Sequence, residues 1–109
     1  MIPHVPDRGQ IIALDFDPQV GREIGKRRPA LVISPKAYNR LSGFALVCPV
    51  TTKPSTDPFE VTIGTNKTVG VVLPDRIRSV DWRARRAALI ENAPPGVLDE
   101  VHAKLLTLV

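Results

Sequence analysis

The chain has 109 residues, of which 43% are hydrophobic and 24% are charged, values typical of a packed domain and unlike those of a disordered segment. Fifteen Lys and Arg against eleven Asp and Glu give a net charge of +4, which suits a polyanionic partner without requiring one. Only 5% of the residues are aromatic, so we expect a core of Val, Leu, Ile and Ala. The length predicts one domain, residues 1–109.

The single cysteine, Cys48, lies in the apolar run FALVCPV. One thiol forms no internal disulfide, which favours the cytoplasm, and burial among apolar neighbours raises a thiol pKa and argues against catalysis by Cys48. The N-terminal MIPHVPDRGQ lacks the charged and apolar regions of a signal peptide, and no apolar run reaches 18 residues. We therefore expect a cytoplasmic protein that does not associate with membranes.

The N-terminal half alternates between short strands and turns. QIIALDFDP predicts a strand, and a loop over 18–25 separates it from the buried strand PALVIS. Ser34 is predicted as the N-cap of a short helix, KAYNRLS, with Pro35 at its first position and Gly43 at its end.

Further strands are predicted in FALVCPVTT, in FEVTIG from Phe59, and in VGVVLP. DRIRSVDWRARRAALIEN is ambiguous, because Arg76, Arg78 and Val80 share one strand face while 82–86 has the length of one helical turn. PPGVLDEVHAKLLTLV has helical spacing through Leu108. About six short strands with small helices predict a mainly β (α+β) domain, a strongly bent sheet or partly open barrel with a C-terminal helix over one side.

Several kinds of site find no support in the sequence. Neither GxxxxGK[ST] nor GxGxxG occurs, and there is no zinc-type cluster of Cys and His. The two histidines, His4 and His102, lie almost a chain length apart. Asp15 and Asp17 share a strand face, which fits either a divalent cation or an exposed polar face. We expect no cofactor and no metal.

The stretch GREIGKRRPALVISP places four cations and a carboxylate directly before a buried strand. Arg28 precedes Pro29, which favours extended backbone and gives the guanidinium a rigid base. A permanently charged group with five donors suits a phosphate oxyanion. Glu23 belongs to the preceding loop, which would fold over the same edge as Arg28. The alternative is that Glu23 only pairs with neighbouring cations in a solvated charge run.

Three further residues carry candidate chemistry. Thr51 and Thr52 end the predicted strand FALVCPVTT, and their hydroxyls approach the rim near Arg28 if that strand lies beside PALVIS. Asp75, in LPDRIRS, is a candidate base, a candidate acceptor for RNA, or a turn-forming aspartate.

Three segments resemble, in order and spacing, the signatures of the MazF/PemK family of toxin endoribonucleases. They are VPDRGQIIALDFDPQVGREIGKRRPALVISP, CPVTTKPSTDPFEV and VVLPDRIRSVDWRARRA. The resemblance runs from about Val5 to Ala87. It implies the SH3-like barrel of the MazF/CcdB toxin type, with about six to seven short strands, usually as a homodimer. It also implies the toxin of a toxin–antitoxin pair, which cleaves single-stranded RNA without a metal, inhibits translation and growth, and is blocked when an antitoxin's acidic C-terminal segment occupies the RNA groove.

The resemblance also implies roles for individual residues. The family's essential arginine falls on Arg28 and its essential threonine on Thr51, with Thr52 beside it. The loop glutamate of some members matches Glu23. Asp75 matches an aspartate that some relatives use for RNA contact or as a base, and Phe16 matches an aromatic residue near the RNA path.

The expected reaction is attack of the RNA 2′-hydroxyl on the adjacent phosphate, which leaves a 2′,3′-cyclic phosphate and a 5′-hydroxyl. Arg28 is expected to stabilise the charge that accumulates on the phosphate oxygens, and Thr51 to donate to the same phosphate or to position the leaving oxygen. Glu23, water and Asp75 remain alternatives as the proton acceptor.

Other residues are expected to bind RNA without cutting it. Phosphate contacts are assigned to six cations: Arg22, Lys26, Arg27, Arg78, Arg85 and Arg86. Base contacts are assigned to Tyr38, Asn39 and the loop 18–26, whereas Trp82 is assigned to packing or an interface. Two alternatives stay open: a CcdB-like gyrase poison, and an RNA-binding module without catalysis.

Overall fold

The computed structural model of the chain describes residues 4–16 and 27–109. Within these ranges the chain forms seven β-strands, two α-helices and one 3-10 helix: β1 (Gln10–Asp15), β2 (Arg27–Val32), α1 (Lys36–Ser42), β3 (Phe44–Thr51), β4 (Val61–Gly64), β5 (Val69–Val72), the 3-10 helix (Pro74–Arg76), β6 (Arg78–Asp81), β7 (Ala88–Asn92) and α2 (Val97–Leu106). The predicted mainly β architecture with a C-terminal helix is confirmed.

Every strand pairing in this part of the chain is antiparallel, and the strand order is β4-β5-β3-β2-β1-β7. The eight-residue strand β3 is the centre of the sheet, because it pairs with three others. One edge of β3 contacts β2, while the other contacts β6 along 44–47 and then β5 along 50–51. The sheet therefore divides around β3, as a strongly curved sheet requires.

The two ends of the sheet, β4 and β7, are joined through side chains. Glu91 of β7 accepts hydrogen bonds from the hydroxyls of Thr65 (2.6 Å) and Thr68 (2.7 Å), which lie in and beside the turn between β4 and β5. The bond from Thr65, followed by that from Thr68, holds the pKa of the Glu91 carboxyl below its ordinary value. These contacts curl the sheet toward closure.

Hydrophobic side chains pack on both faces of the sheet. One cluster lies under α2 and comprises Ile11, Leu31, Cys48, Val50, Val61, Ile63, Val72, Val97, Val101 and Leu105. The cluster on the other face comprises Val5, Ile12, Leu14, Ala30, Val32, Ala45, Val47, Val80 and Trp82. Adjacent buried residues of β2 and β3 point to opposite faces of the sheet and so belong to different clusters. This explains why both strands are continuous apolar runs in the sequence.

The prediction of Ser34 as a helix N-cap was wrong. The cap position is Pro35, and α1 has no side-chain cap bond. The Ser34 hydroxyl is buried, donating to Asn39 Oδ1 (2.5 Å) and accepting from the backbone N–H of Leu46 (2.9 Å), so it joins the helix to β3. Gly43 ends the helix as predicted, in the left-handed region with φ 78°.

Four other local features differ from the prediction or resolve it. Arg76 belongs to the 3-10 helix, so it does not share strand β6 with Arg78 and Val80. β4 begins at Val61, after the predicted start at Phe59, and 82–86 forms a turn. Helix α2 ends at Leu106, which leaves Leu108 outside it.

The Glu91 contacts predict a pH-dependent stability. Because the folded-state pKa is lowered from 4.5, the contribution of Glu91 is fully present above pH 4.5 and is lost as the pH falls through the folded pKa. Urea unfolding of the wild type and Glu91→Gln should show a difference in unfolding free energy that shrinks on acidification through this window. Asp99→Asn controls for the lost charge on exposed helix surface. A pH-independent difference would contradict the assignment.

Candidate active site

Arg28 lies at the start of β2, opposite Leu14 of β1. Leu14 is fully buried, whereas Arg28 is exposed, so the guanidinium projects from the rim of the core on an extended backbone that continues into Pro29. Within the described ranges, 4–16 and 27–109, the Arg28 side chain makes no hydrogen bond or ion pair. Its charge therefore has no described protein partner at this rim.

The register between β2 and β3 relates Arg28 to Thr51. Ala30 lies opposite Pro49 and Val32 opposite Val47, and continuing this antiparallel register by two residues sets Arg28 level with Thr51. Directly opposite residues of an antiparallel pair point to the same face of the sheet. We therefore expect the end of β3 to approach the rim that carries Arg28.

Thr51 is the last residue of β3 and is half-buried. Its Oγ1 accepts a hydrogen bond from the backbone N–H of Lys53 at 3.2 Å. A hydroxyl that accepts from one neighbour keeps its own proton for another acceptor. Thr51 can thus donate its hydroxyl proton to another acceptor, while Thr52 is exposed in the following loop.

Phe16 and Arg78 extend the same face. Val47, on the face of Thr51, lies opposite Arg78 of β6, and the Arg78 guanidinium carbon is 5.7 Å from the centre of the Phe16 ring. Phe16 also packs against the hydrophobic cluster on this face. The two strands and the residue that follows β1 thereby place an aromatic ring and a second arginine on the face of Arg28.

Asp15 draws two other arginines together. Its carboxylate accepts from Arg86 Nε (2.6 Å) and Arg27 Nη1 (3.1 Å), and the carbonyl of Arg86 accepts from Arg27 Nη2 (2.5 Å). The hydrogen bond from Arg86, ahead of that from Arg27, lowers the pKa of Asp15. Arg85 Nη1 donates to the carbonyl of Asp15 (3.2 Å). The ion pairs are exposed, so they are weak and exchangeable.

This charge cluster was not foreseen from the sequence. Asp15 was considered with Asp17 as a cation ligand, but its carboxylate oxygens bind arginines, and Asp17 lies outside the described residues. Within the described ranges, no group of three or more His, Cys, Asp and Glu side chains is placed to hold a metal ion. The partners of Asp15 lie 12 and 71 residues away in sequence, beyond the reach of a local pattern.

Asn39 does not have the exposure expected of a base-reading residue. The side chain is fully buried, with Nδ2 donating to the carbonyls of Pro6 (2.8 Å) and Ser34 (3.0 Å) and Oδ1 accepting from Ser34. Its carbonyl accepts from Trp82 Nε1 at 2.9 Å, which confirms Trp82 as a packing residue. Asn39 is therefore a core residue, and its side chain is not exposed for contact with an RNA base.

The other candidates are placed as follows. Tyr38 is exposed on α1, and Asp75 is exposed in the 3-10 helix. Glu23, Arg22 and Lys26, like the whole loop 18–26, lie outside the described residues, so their predicted roles stay predictions.

Cys48 is buried and unavailable as a nucleophile. Desolvation, with a smaller contribution from the charge of Asp75, raises the pKa of its thiol to about 12, so the thiolate is absent near neutral pH. The predicted burial and the predicted direction of the pKa change are both confirmed. Over the described part of the chain, neither helix has the length and apolar character that a membrane span demands.

Comparison with known proteins agrees with this architecture. A family model described as PemK-like, MazF-like toxin of type II toxin–antitoxin system matches residues 7–109. The endoribonuclease toxin MazF of Escherichia coli is 41% identical over 106 residues, covering 97% of this chain and 96% of that protein. The Escherichia coli endoribonuclease PemK is 34% identical over 108 residues, covering 94% and 81%.

A solved structure gives the same relationship in three dimensions. A crystal structure of MazE–MazF (Form-II) from Deinococcus radiodurans matches with a TM-score of 0.90 and 50% identity, covering 97% of this chain and 96% of that chain. The fold is thus that of a toxin in a toxin–antitoxin pair. The chain belongs to the family of PemK-like, MazF-like toxins of type II toxin–antitoxin systems, and the predicted family and endoribonuclease class are confirmed.

The Arg86 backbone yields a stability prediction. Arg86 has φ 54°, which lies in the left-handed region. For a residue with a Cβ this backbone conformation costs about 1–2 kcal/mol of folding free energy. Both Arg86→Gly and Arg86→Ala remove the contact with Asp15, but only glycine relieves the backbone strain. In urea unfolding, Arg86→Gly should therefore be about 1 kcal/mol more stable than Arg86→Ala.

The matched controls are Arg83→Gly and Arg83→Ala in the same turn. Arg86 is the one non-glycine residue with positive φ among those described, so the order should reverse at Arg83, with alanine the more stable. Equal stability of the two Arg86 variants would contradict the strain.

Proposed function

We propose that this toxin cleaves single-stranded RNA, including mRNA, at short sequences without a metal ion, and that Arg28 and Thr51 act on the same phosphate. The β2–β3 register supports this proposal, because its continuation by two residues beyond Ala30 and Pro49 would bring an exposed guanidinium and a hydroxyl level on one face of the sheet. Cleavage of mRNA inhibits translation and growth. The whole chain, 1–109, acts as one catalytic domain in the cytoplasm, where its substrate is found.

Arg28 stabilises the transition state. As the 2′-hydroxyl attacks phosphorus, negative charge builds on the non-bridging oxygens, and a guanidinium aimed at them binds the transition state more strongly than the ground state. Pro29 and the pairing with Leu14 hold the base of the side chain, so little reorganisation accompanies the reaction. Arg28 therefore acts as a preorganised electrostatic catalyst.

Thr51 supplies the second contact. Because its oxygen already accepts from the N–H of Lys53, its proton is directed to a phosphate oxygen or to the leaving 5′-oxygen. Glu23 removes the proton of the 2′-hydroxyl in this proposal. The attack forms a bond from O2′ to phosphorus and breaks the bond to O5′, which takes up a proton. The products are a 2′,3′-cyclic phosphate and a 5′-hydroxyl.

Residues on this face and at the neighbouring rim bind the rest of the RNA. Phe16, with Arg78 against its ring, provides a surface on which an unpaired base stacks. Phosphate contacts come from Arg22, Lys26, Arg27, Arg78, Arg85 and Arg86, with Thr52 and Asp75 as further polar contacts. Because their ion pairs with Asp15 are exposed, Arg27 and Arg86 can exchange that carboxylate for a phosphate. Tyr38 contributes to base recognition.

The partner of this toxin is a cognate antitoxin, as in the MazE–MazF crystal structure from Deinococcus radiodurans. An acidic C-terminal segment of the antitoxin would compete with RNA for Arg28 and the neighbouring cations, since carboxylates and phosphates bind guanidinium in similar ways. The toxin acts as a homodimer. Leu41, Val69 and Leu106 are each more than half exposed, which supports burial of apolar surface between copies.

Arg28→Ala is expected to slow cleavage of a long single-stranded RNA by about 10²- to 10³-fold, because an oxyanion donor is removed. The fragments made by the wild type should carry 2′,3′-cyclic phosphate and 5′-hydroxyl ends in the presence of EDTA. The matched control is Arg40→Ala, which removes an exposed cation at the end of α1. Circular dichroism establishes that each variant is folded.

Three outcomes would overturn the proposal. Undiminished cutting by Arg28→Ala would remove the assigned mechanism. Stoichiometric binding with intact RNA would indicate a non-catalytic RNA-binding module. Trapped gyrase–DNA cleavage complexes in cells expressing the chain, with intact RNA, would indicate a gyrase poison.

A further inference from the structure

Gly70 lies against the peptide that carries Thr51. A Cβ built on Gly70 would come within 2.2 Å of the Thr51 carbonyl oxygen and 3.0 Å of its carbonyl carbon. Gly70 also has φ 151°, in the range where side chains are strained. In the ladder between β3 and β5, Thr51 lies opposite Val71, so Gly70 meets the chain where β3 ends. Only a residue without a Cβ allows this approach.

This contact constrains the backbone that carries the Thr51 hydroxyl. Thr51 is the last paired residue of β3, and beyond it the chain enters the loop of Thr52 and Lys53. Its backbone is held on the β5 side by the ladder, and its Oγ1 is held by the N–H of Lys53. A methyl group at position 70 must push the Thr51 carbonyl away by about 1 Å, a displacement that costs up to about 10²-fold in rate when reacting groups are misplaced.

We propose that Gly70 is a positioning residue, which keeps β5 close enough to hold the Thr51 hydroxyl level with Arg28. Gly70 touches no substrate and acts through Thr51. The inference rests on the proposed function of Thr51 and assigns a role to a residue of the neighbouring strand. Sequence reasoning did not identify Gly70, although a glycine inside the strand pattern VGVV is a signal of close backbone approach.

The test compares Gly70→Ala with Gly64→Ala at the end of β4. A Cβ at Gly64 has nothing within 4 Å, so that variant adds the same methyl group to the neighbouring strand without a clash. With a defined RNA oligonucleotide, Gly70→Ala should lower kcat about 10- to 100-fold with little change in KM, because binding contacts remain and the transition-state contact is displaced. Gly64→Ala should match the wild type.

A double-mutant cycle separates positioning from general structural damage. If Gly70 acts through Thr51, then Thr51→Ala combined with Gly70→Ala should be no slower than Thr51→Ala alone. Losses that multiply would overturn the inference. In ¹H–¹⁵N spectra, Gly70→Ala should shift the amides of Thr51 and Thr52 while leaving those of β1 in place, and unchanged Thr51 and Thr52 amides would also overturn it.

The failures of the two proposals are distinguishable. Wild-type cutting by Thr51→Ala would remove the catalytic role of Thr51 itself. Slow cutting by Thr51→Ala, together with wild-type cutting by Gly70→Ala, would reject only the positioning role. A Gly70→Ala chain that does not fold would also reject it, because Gly70 would then be required for the sheet and not for the placement of one hydroxyl.

Discussion

The antiparallel register of β2 against β3 is the constraint on which the site depends. Arg28 and Thr51 are 23 residues apart in sequence, and continuing the register beyond the pairing of Ala30 with Pro49 would set them level on one face. β3 is held in place by β2, β5 and β6 together. A slip of one residue would turn Thr51 to the opposite face, where Cys48 and Val50 are buried. Core packing thus protects the geometry of the site.

The concentration of positive charge before the core has two parts with different roles. Asp15 gathers Arg27 and Arg86 at the end of β1, joining three segments of the chain. Arg28, on the alternate face of β2, remains directed away from that cluster because side chains alternate along a strand. One arginine is therefore exposed apart from the Asp15 cluster, as the proposed phosphate contact requires, while its neighbours hold the surrounding backbone.

The outline of the fold was readable in the sequence, whereas its polar connections were not. The run from Ala30 to Val32 predicted a strand buried on both faces, and Gly43 predicted the end of α1. The local sequence predicts Ser34 as a helix cap. In the structure its hydroxyl instead hydrogen-bonds Asn39 and the N–H of Leu46 in the core, because the buried Asn39 amide needs a partner. Arg28 was identified from Pro29 beside it, but its alignment with Thr51 depends on long-range pairing.

The most direct measurement is a crystal structure of the chain bound to an RNA oligonucleotide in which the attacking 2′-hydroxyl is replaced by 2′-O-methyl. We expect one phosphate whose non-bridging oxygens lie about 2.7–3.1 Å from both the Arg28 guanidinium and the Thr51 hydroxyl. An RNA strand that crosses another surface, or a phosphate that reaches Arg27 and Arg86 while Arg28 and Thr51 stay apart from it, would contradict the account.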